Sequence, residues 1–486
     1  MAQPFVEPCS RGMVEAEPCP RELGREISLQ RRRIVLVSCI LASSMAFIDG
    51  SALTVALPNL RADLETDLAS VQWVLNGYVV TLASITLVGG ALADVYGKAR
   101  MLAIGSLIFG LASAMCALAP SVASLIAARV LQGVGAAILT PSSLALIGAV
   151  YPKDERNRAV GVWAAASALT TAGGPVLGGW LVETFGWQSV FWINPPLALV
   201  VVGMVAAFAP QDRRELRRFD VIGAAILAAA LAALAWALSN AGRHTPAETT
   251  LAESTLAETT LAMSGVTIAV VGGLGVVGLA LYAYWERISP HPMTPPRLVE
   301  NRTFLGLNAS TLMIYSGLAI MFFLLPFDLV DRRGMTPTEA GLAFLPFTLG
   351  LGLLSRPFGA LADSIGARAM LIAGASGASL ALLWMAFGQN ASLILAVIAP
   401  MTLLGISFAV LVAPLTASVI SSVERNDEGL ASGINNAISR VAQLFGIALA
   451  ASIASLEPGF QIGFIAAAAV TMAGALTVAV SVPPGT

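Results

Sequence analysis

The chain has 486 residues, of which 57% are hydrophobic and only 12% charged, with a formal net charge of −2. That charge content is about half the share usual in soluble domains, with no broad basic or acidic field, which excludes a disordered chain, a nucleic-acid binder and an ordinary soluble enzyme. The apolar residues fall in blocks of roughly 20, each long enough to cross about 30 Å of hydrocarbon, so a polytopic, all-α integral membrane protein is expected.

Residues 1–33 form a polar tail without a cleavable signal pattern, and the first apolar block is the expected point of membrane entry. Spans are expected at about 34–58, 71–91, 101–120, 122–149, 159–182, 188–208, 219–239, 265–285, 304–327, 339–361, 369–388, 392–420, 430–453 and 461–482, fourteen in all. Each should be a helix, because lipid offers backbone polar groups no partner. An even number puts both termini on one side. With the termini inside, inner loops hold 21 Lys and Arg and outer loops four, namely Arg61, Arg243, Arg332 and Arg333. This bias orients the chain in the cytoplasmic membrane with both termini cytoplasmic. Cys9 and Cys19 lie in the tail and Cys39 and Cys116 in apolar blocks, with no shared oxidising face. Without a CxxC, and with only His244 and His291, neither a disulfide, a metal site nor a cofactor is expected.

The chain repeats itself. GALADVYGKARML (90–102) recurs as GALADSIGARAML (359–371) with eight of thirteen positions identical, at an offset of 269. The same offset carries Glu155-Arg156-Asn157 onto Glu424-Arg425-Asn426. Residues 34–208 and 304–482 thus read as two pseudo-symmetric six-helix bundles, related about an axis along the membrane normal. Spans 7 and 8 (209–285) read as an inserted linker pair, and 286–303 as a cytoplasmic loop. The outer loop 243–262 contains the low-complexity run AETTLAESTLAETTLA (247–262) and reads as an expanded, solvated connector. Two bundles around a central cavity suit alternating access.

Asp49 is the only acid deep within any expected span, where a charge costs roughly 2.5–3.5 kcal/mol on insertion scales. Arg129, in span 4, is the one deep base of the first half. At 1.5 Å per residue both sit roughly 12–14 Å below the outer face, so they meet if their helices line one cavity. Two readings stand: a static pair that orients helices, or a proton carrier that responds to solvation and partner. The offset carries Asp49 onto Leu318 and Arg129 onto Ile398, so the second half lacks both groups and is expected to suit greasy substrates. Arg440, in the inner half of span 13, either snorkels or lines the inner vestibule of the cavity. Gly90, Asp94, Gly97, Lys98 and Arg100, with Asp363 and Gly366 in the copy, read as a conformational latch; the rival is a basic turn serving topology alone. Gly174, Pro175, Gly178 and Gly179 in span 5 read as a flexing seam or as ordinary close packing. Trp73, Asn76, Tyr78 and Gln132 are candidates for the cavity wall, with interface anchoring the rival for Trp73 and Tyr78.

These segments carry a resemblance. GALADVYGKARML resembles the loop motif after span 2 of the major facilitator superfamily, with Val95 where a basic residue is usual. LIAARVLQGVGAA (125–137), with Arg129, Gln132, Gly133 and Gly135, is similar to its span 4 motif. AGGPVLGG (172–179) resembles the antiporter motif of span 5, with Thr170 where a glycine is expected upstream. FIDGSALTVALPNL (47–60) resembles the span 1 motif of the fourteen-span drug:proton antiporter family, as do WQSVFWINPP (187–196) and the Asn435-Asn436 region. The resemblance implies proton-driven export of amphipathic drugs or toxic metabolites by a monomer. Its partners would be protons, a small amphipathic substrate and membrane lipid, with no nucleic acid. One charge crossing 100 mV supplies about 2.3 kcal/mol, and no GxxxxGK[ST] phosphate loop points to a nucleotide. The rivals are a facilitator for one nutrient or metabolite, and a transport-like sensor without flux.

Overall fold

The computed structural model of the protein describes residues 28–210, 220–241, 254–289, 298, 300–424, 428–454 and 459–483. Among the described residues the chain is helical, with turns and short bends between helices and no strand. The first six long helices are α1 (Leu29–Asp63), α2 (Leu68–Tyr96), α3 (Lys98–Ala117), α4 (Val122–Val150), α5 (Lys153–Phe185) and α6 (Ser189–Phe208). Helix α6 breaks at Ile193, ahead of Pro195 and Pro196, which have no N–H to donate to a preceding turn. Next come α7 (Val221–Ala241) and α8 (Ser254–Ile288). The last six are α9 (Arg302–Phe327), α10 (Leu345–Ile365), α11 (Ala367–Phe387), α12 (Ala399–Ser421), α13 (Glu428–Ala454) and α14 (Gly459–Ser481). A π-helical turn, Asp328–Arg332, prolongs α9; a short helix, Pro337–Leu342, precedes α10. Ten helical segments among the described residues are long and apolar enough to cross a membrane.

The helices obey the offset read from the repeat. Adding 269 to α3 gives 367–386, against Ala367–Phe387 observed. Adding it to α2 gives 337–365, the stretch covered by the short helix and α10 together. The turns follow too. Gly97 opens α3 with φ of 99° and Gly366 opens α11 with φ of 94°, a region a side chain rarely enters. Helix starts on the other face are capped by side chains that accept the orphan N–H groups. Asp67 accepts from Ser70 N at 2.8 Å, and Thr336 and Glu339 form a reciprocal box.

Within the first six helices α2 and α3 pack on α4, α1 on α5 and α3 on α6; within the last six, α9 and α11 pack on α14, and α10 and α11 on α12. The two groups meet along α2–α13 and along α5 with α10 and its short helix, two contacts that the offset exchanges. Helices α7 and α8 pack on each other, and α7 leans on both α2 and α13. The outer faces are apolar: Leu274, Val277 and Leu281 of α8 are exposed, a surface that hydrocarbon tolerates and water does not. One expectation needs correction. The connector 243–262 is helical from Ser254, where it forms the first turns of α8. Its Ala, Leu and Glu are strong helix formers and extend the span they join. Residues 243–253 lie outside the described residues, as do His244, His291, Cys9 and Cys19.

Candidate functional site

A cavity of about 300 Å³ lies between the two groups of helices. Its wall takes side chains from α1, α2, α4 and α5 and from the offset-related α9, α10, α12 and α13. Several lining residues are themselves related by 269: Gly50 with Ala319, Thr54 with Phe323, Tyr78 with Phe347, Leu82 with Leu351, and Thr171 with Arg440. At three of these five positions, Ala319, Phe323 and Arg440, the second half carries the bulkier group. Tyr315, Phe408, Phe347, Phe322 and Phe344 form a continuous chain of ring contacts, with centroids 5.2–6.2 Å apart. Leu318 also lines the cavity, whereas Ile398 does not.

Behind the first-half wall lies a polar network without accessible surface. Arg129 Nη1 donates to Asp49 Oδ2 at 2.5 Å and to Gln132 Oε1 at 2.6 Å. Gln132 Nε2 donates to Asp49 Oδ1 at 2.9 Å and to Ser113 Oγ at 3.2 Å. Ser113 also accepts from Asn194 Nδ2 at 2.9 Å and donates to the Phe191 carbonyl at 3.0 Å. Arg129 Nε donates to the Val74 carbonyl at 3.0 Å. The guanidinium lies 4.3 Å from the centre of the Tyr78 ring, a cation–π distance, and Tyr78 itself lines the cavity. Both oxygens of Asp49 are thus occupied, and Asp49, Arg129, Gln132, Ser113 and Asn194 are wholly buried. In such surroundings each ion depends on the other, since removing one leaves an uncompensated buried charge.

Arg129, Tyr78 and Arg440 contribute to the cavity wall. Trp73, Asn76 and Gln132, also expected there, do not. Trp73 packs half-buried on the apolar cluster around Tyr78 and Leu82, Gln132 belongs to the network behind the wall, and Asn76 is buried with neither amide atom bonded. The reason is helical phase: only one stripe of α2 faces the cavity, and Leu75, Tyr78, Val79 and Leu82 occupy it. Ser113, Asn194 and the aromatic chain are participants that the sequence reading did not single out. The signal for Ser113 and Asn194 was a polar side chain within an apolar block.

The span 5 glycines face two neighbours. Gly174 and Gly178 lie against Ser51 and Ala52 of α1; a Cβ on Gly178 would meet the Ala52 carbonyl oxygen at 2.6 Å. Pro175 and Gly179 face the other half, Gly179 against the Pro337 carbonyl and the Pro175 carbonyl against Gly341. Beside them Glu183 accepts from Thr338 N at 3.1 Å, so an acid of the first half caps a helix of the second. These hydrogen bonds hold the Glu183 carboxyl below its ordinary range. Nearby, Arg61 pairs with Asp331 at 3.6 Å. Contacts between the halves thus cluster on this face. At the opposite face Lys98 begins α3, Arg100 is exposed, and a Cβ on Gly90 would make only ordinary contact with Pro141. The side chains of Asp94 and Asp363 lie outside the described residues.

A sequence profile of the Major Facilitator Superfamily matches residues 39–299 and 307–486. The multidrug resistance protein Stp of Mycobacterium tuberculosis is 31% identical over 88% of this chain and 78% of its own. The cephamycin export protein CmcT of Amycolatopsis lactamdurans is 31% identical over 88% of this chain and 86% of its own. The fold is similar to that of the peptide transporter POT in complex with alafosfalin, with a TM-score of 0.65 at 14% identity, covering 93% of this chain and 97% of that one. The chain therefore belongs to the Major Facilitator Superfamily, as a multi-pass membrane transporter.

Proposed function

We propose that the protein is a proton-coupled exporter of amphipathic drugs or toxic metabolites, working by alternating access in the cytoplasmic membrane. It crosses fourteen times as a monomer, with both termini cytoplasmic, two six-helix bundles (34–208 and 304–482) and α7–α8 as an inserted linker pair. The observation that carries this reading is the wholly buried Asp49–Arg129 pair directly behind the wall of a cavity between the halves. The names of relatives, multidrug resistance for Stp and cephamycin export for CmcT, support the direction of transport.

The coupling follows from electrostatics. With Asp49 ionised, Arg129 is neutralised and held behind Tyr78. A proton on Asp49 cancels that attraction and leaves a buried cation unpaired, which costs several kcal/mol unless it moves toward water. Arg129 is among the residues around the cavity, so protonation of Asp49 and the cavity contents bear on one side chain. The Pro175–Gly179 seam and the Glu183–Thr338 contact seal the outer side, and Gly90, Asp94, Gly97, Lys98, Arg100, Asp363 and Gly366 latch the inner side when the outer side opens. In vesicles holding a pH gradient, substrate addition releases protons, and Asp49→Asn reduces this at least tenfold while substrate still binds. Full gradient-driven export by Asp49→Asn refutes proton carriage at this site. The name of CmcT, built on one compound class, favours a second reading, a dedicated exporter. Competition between chemically unrelated drugs for efflux separates the two, since a dedicated exporter shows none.

A further inference from the structure

Resting on the export reading, we infer that the cavity selects amphipathic anions, recognised by Arg440 against the aromatic wall. Among the described residues, the charged groups lining the cavity are Arg129 and Arg440, and no carboxylate lines it. Arg129 is committed to Asp49, which lies behind the wall with both oxygens taken. Among the described residues no acid lies within ion-pair distance of Arg440; its described hydrogen bond is one long donation, Nη1 to Gln443 Oε1 at 3.3 Å. A guanidinium carries five N–H donors and stays charged, so most of its capacity points at whatever occupies the cavity.

The pseudo-symmetry sharpens the point. The first-half counterpart of Arg440 is Thr171, a neutral hydroxyl on the same cavity. In the second half, Leu318 and Ile398 stand where Asp49 and Arg129 stand in the first, so Arg440 is a cation in a half that lacks the acid at that position. The same wall carries aromatic rings, Tyr315, Phe347 and Phe408. A flat apolar body stacks on those rings while a carboxylate or sulfonate makes a bidentate pair with the guanidinium. A lipophilic cation would meet a like charge and find no counterion.

The test uses a pair of probes of matched size, 1-naphthylacetate and 1-naphthylmethylammonium. The full-length protein is held in phosphatidylcholine nanodiscs, and binding is measured by calorimetry without any gradient. The anion is expected to bind at least tenfold more tightly than the cation. Arg440→Gln should weaken the anion at least tenfold and tighten the cation, Arg440→Lys should keep part of the preference, and Arg440→Glu should reverse it. Tighter binding of the cation by the unaltered protein, or an unchanged anion-to-cation ratio in both Arg440→Gln and Arg440→Glu, overturns the inference. Because binding is read without a gradient, its outcome is independent of coupling. Anion selectivity that depends on Arg440 stands even if Asp49→Asn retains gradient-driven export. Proton-coupled flux of the cation alone defeats the anion site and leaves the exporter reading intact.

Discussion

At the scale of single residues, the arrangement around Asp49 separates a structural pair from a working one. An isolated buried ion is expensive, whereas loss of both partners to well-packed apolar groups is often neutral. Asp49→Leu alone should therefore lower stability by about 3–5 kcal/mol, and Asp49→Leu with Arg129→Leu by much less, in thermal unfolding of the purified protein. Gln132 bridges Asp49 and Ser113, so Gln132→Leu leaves buried polar atoms unpaired and should cost about 1–3 kcal/mol. If the pair served only to orient helices, the double variant would retain transport. The proton-carrying reading requires that it transport no substrate against a pH gradient even where its fold is intact.

At the scale of elements, small residues set how helices approach, and the same residues lie where halves must part. Gly178 fixes the spacing of α5 from α1, whereas Gly179 and Gly341 fix the spacing of α5 from the short helix of the other half. Gly178→Leu should destabilise the first half by roughly 1–3 kcal/mol through overpacking. Gly179→Leu is different in kind, because relief comes from separating the halves. It should raise labelling of cysteines placed at the α5 end and in the short helix, with little change in unfolding temperature. Gly97 and Gly366 hold a positive φ at equivalent turns. Replacing either by Ala should cost on the order of 1–3 kcal/mol, and the two costs should add, since the turns lie in separate halves.

At the scale of the whole molecule, the balance between faces decides which side of the cavity is reachable. Glu183 joins the halves through Thr338, and its carboxyl titrates below its ordinary value of 4.5 because the bonds favour the ionised form. A lowered value means the contact contributes fully above that ordinary range and fades as pH falls through it. Distances between spin labels on α5 and the short helix should therefore stay constant from pH 8 to about 5 and lengthen only in stronger acid. Glu183→Gln should lengthen them at every pH. The Arg61–Asp331 pair on the same face is exposed as Glu183 is, and water screens both contacts.

Length of apolar blocks, the 269-residue offset and the one deep acid were legible from the chain, because each follows from local chemistry: hydrocarbon thickness, duplicated turns and the cost of a charge in oil. The meeting of Asp49 with Arg129 was also foreseeable, since depth along a helix is simple arithmetic. The azimuth was not. Which stripe of α2 faces the cavity, and so why Tyr78 lines it while Asn76 does not, depends on how each helix is rotated against its neighbours. The same holds for the ring chain from Tyr315 to Phe344, for Glu183 capping a helix of the opposite half, and for Arg440 lining one cavity with rings of that chain. These are contacts between segments far apart in the chain. They are decided when small residues let particular backbones close together, a choice that packing makes and periodicity leaves open.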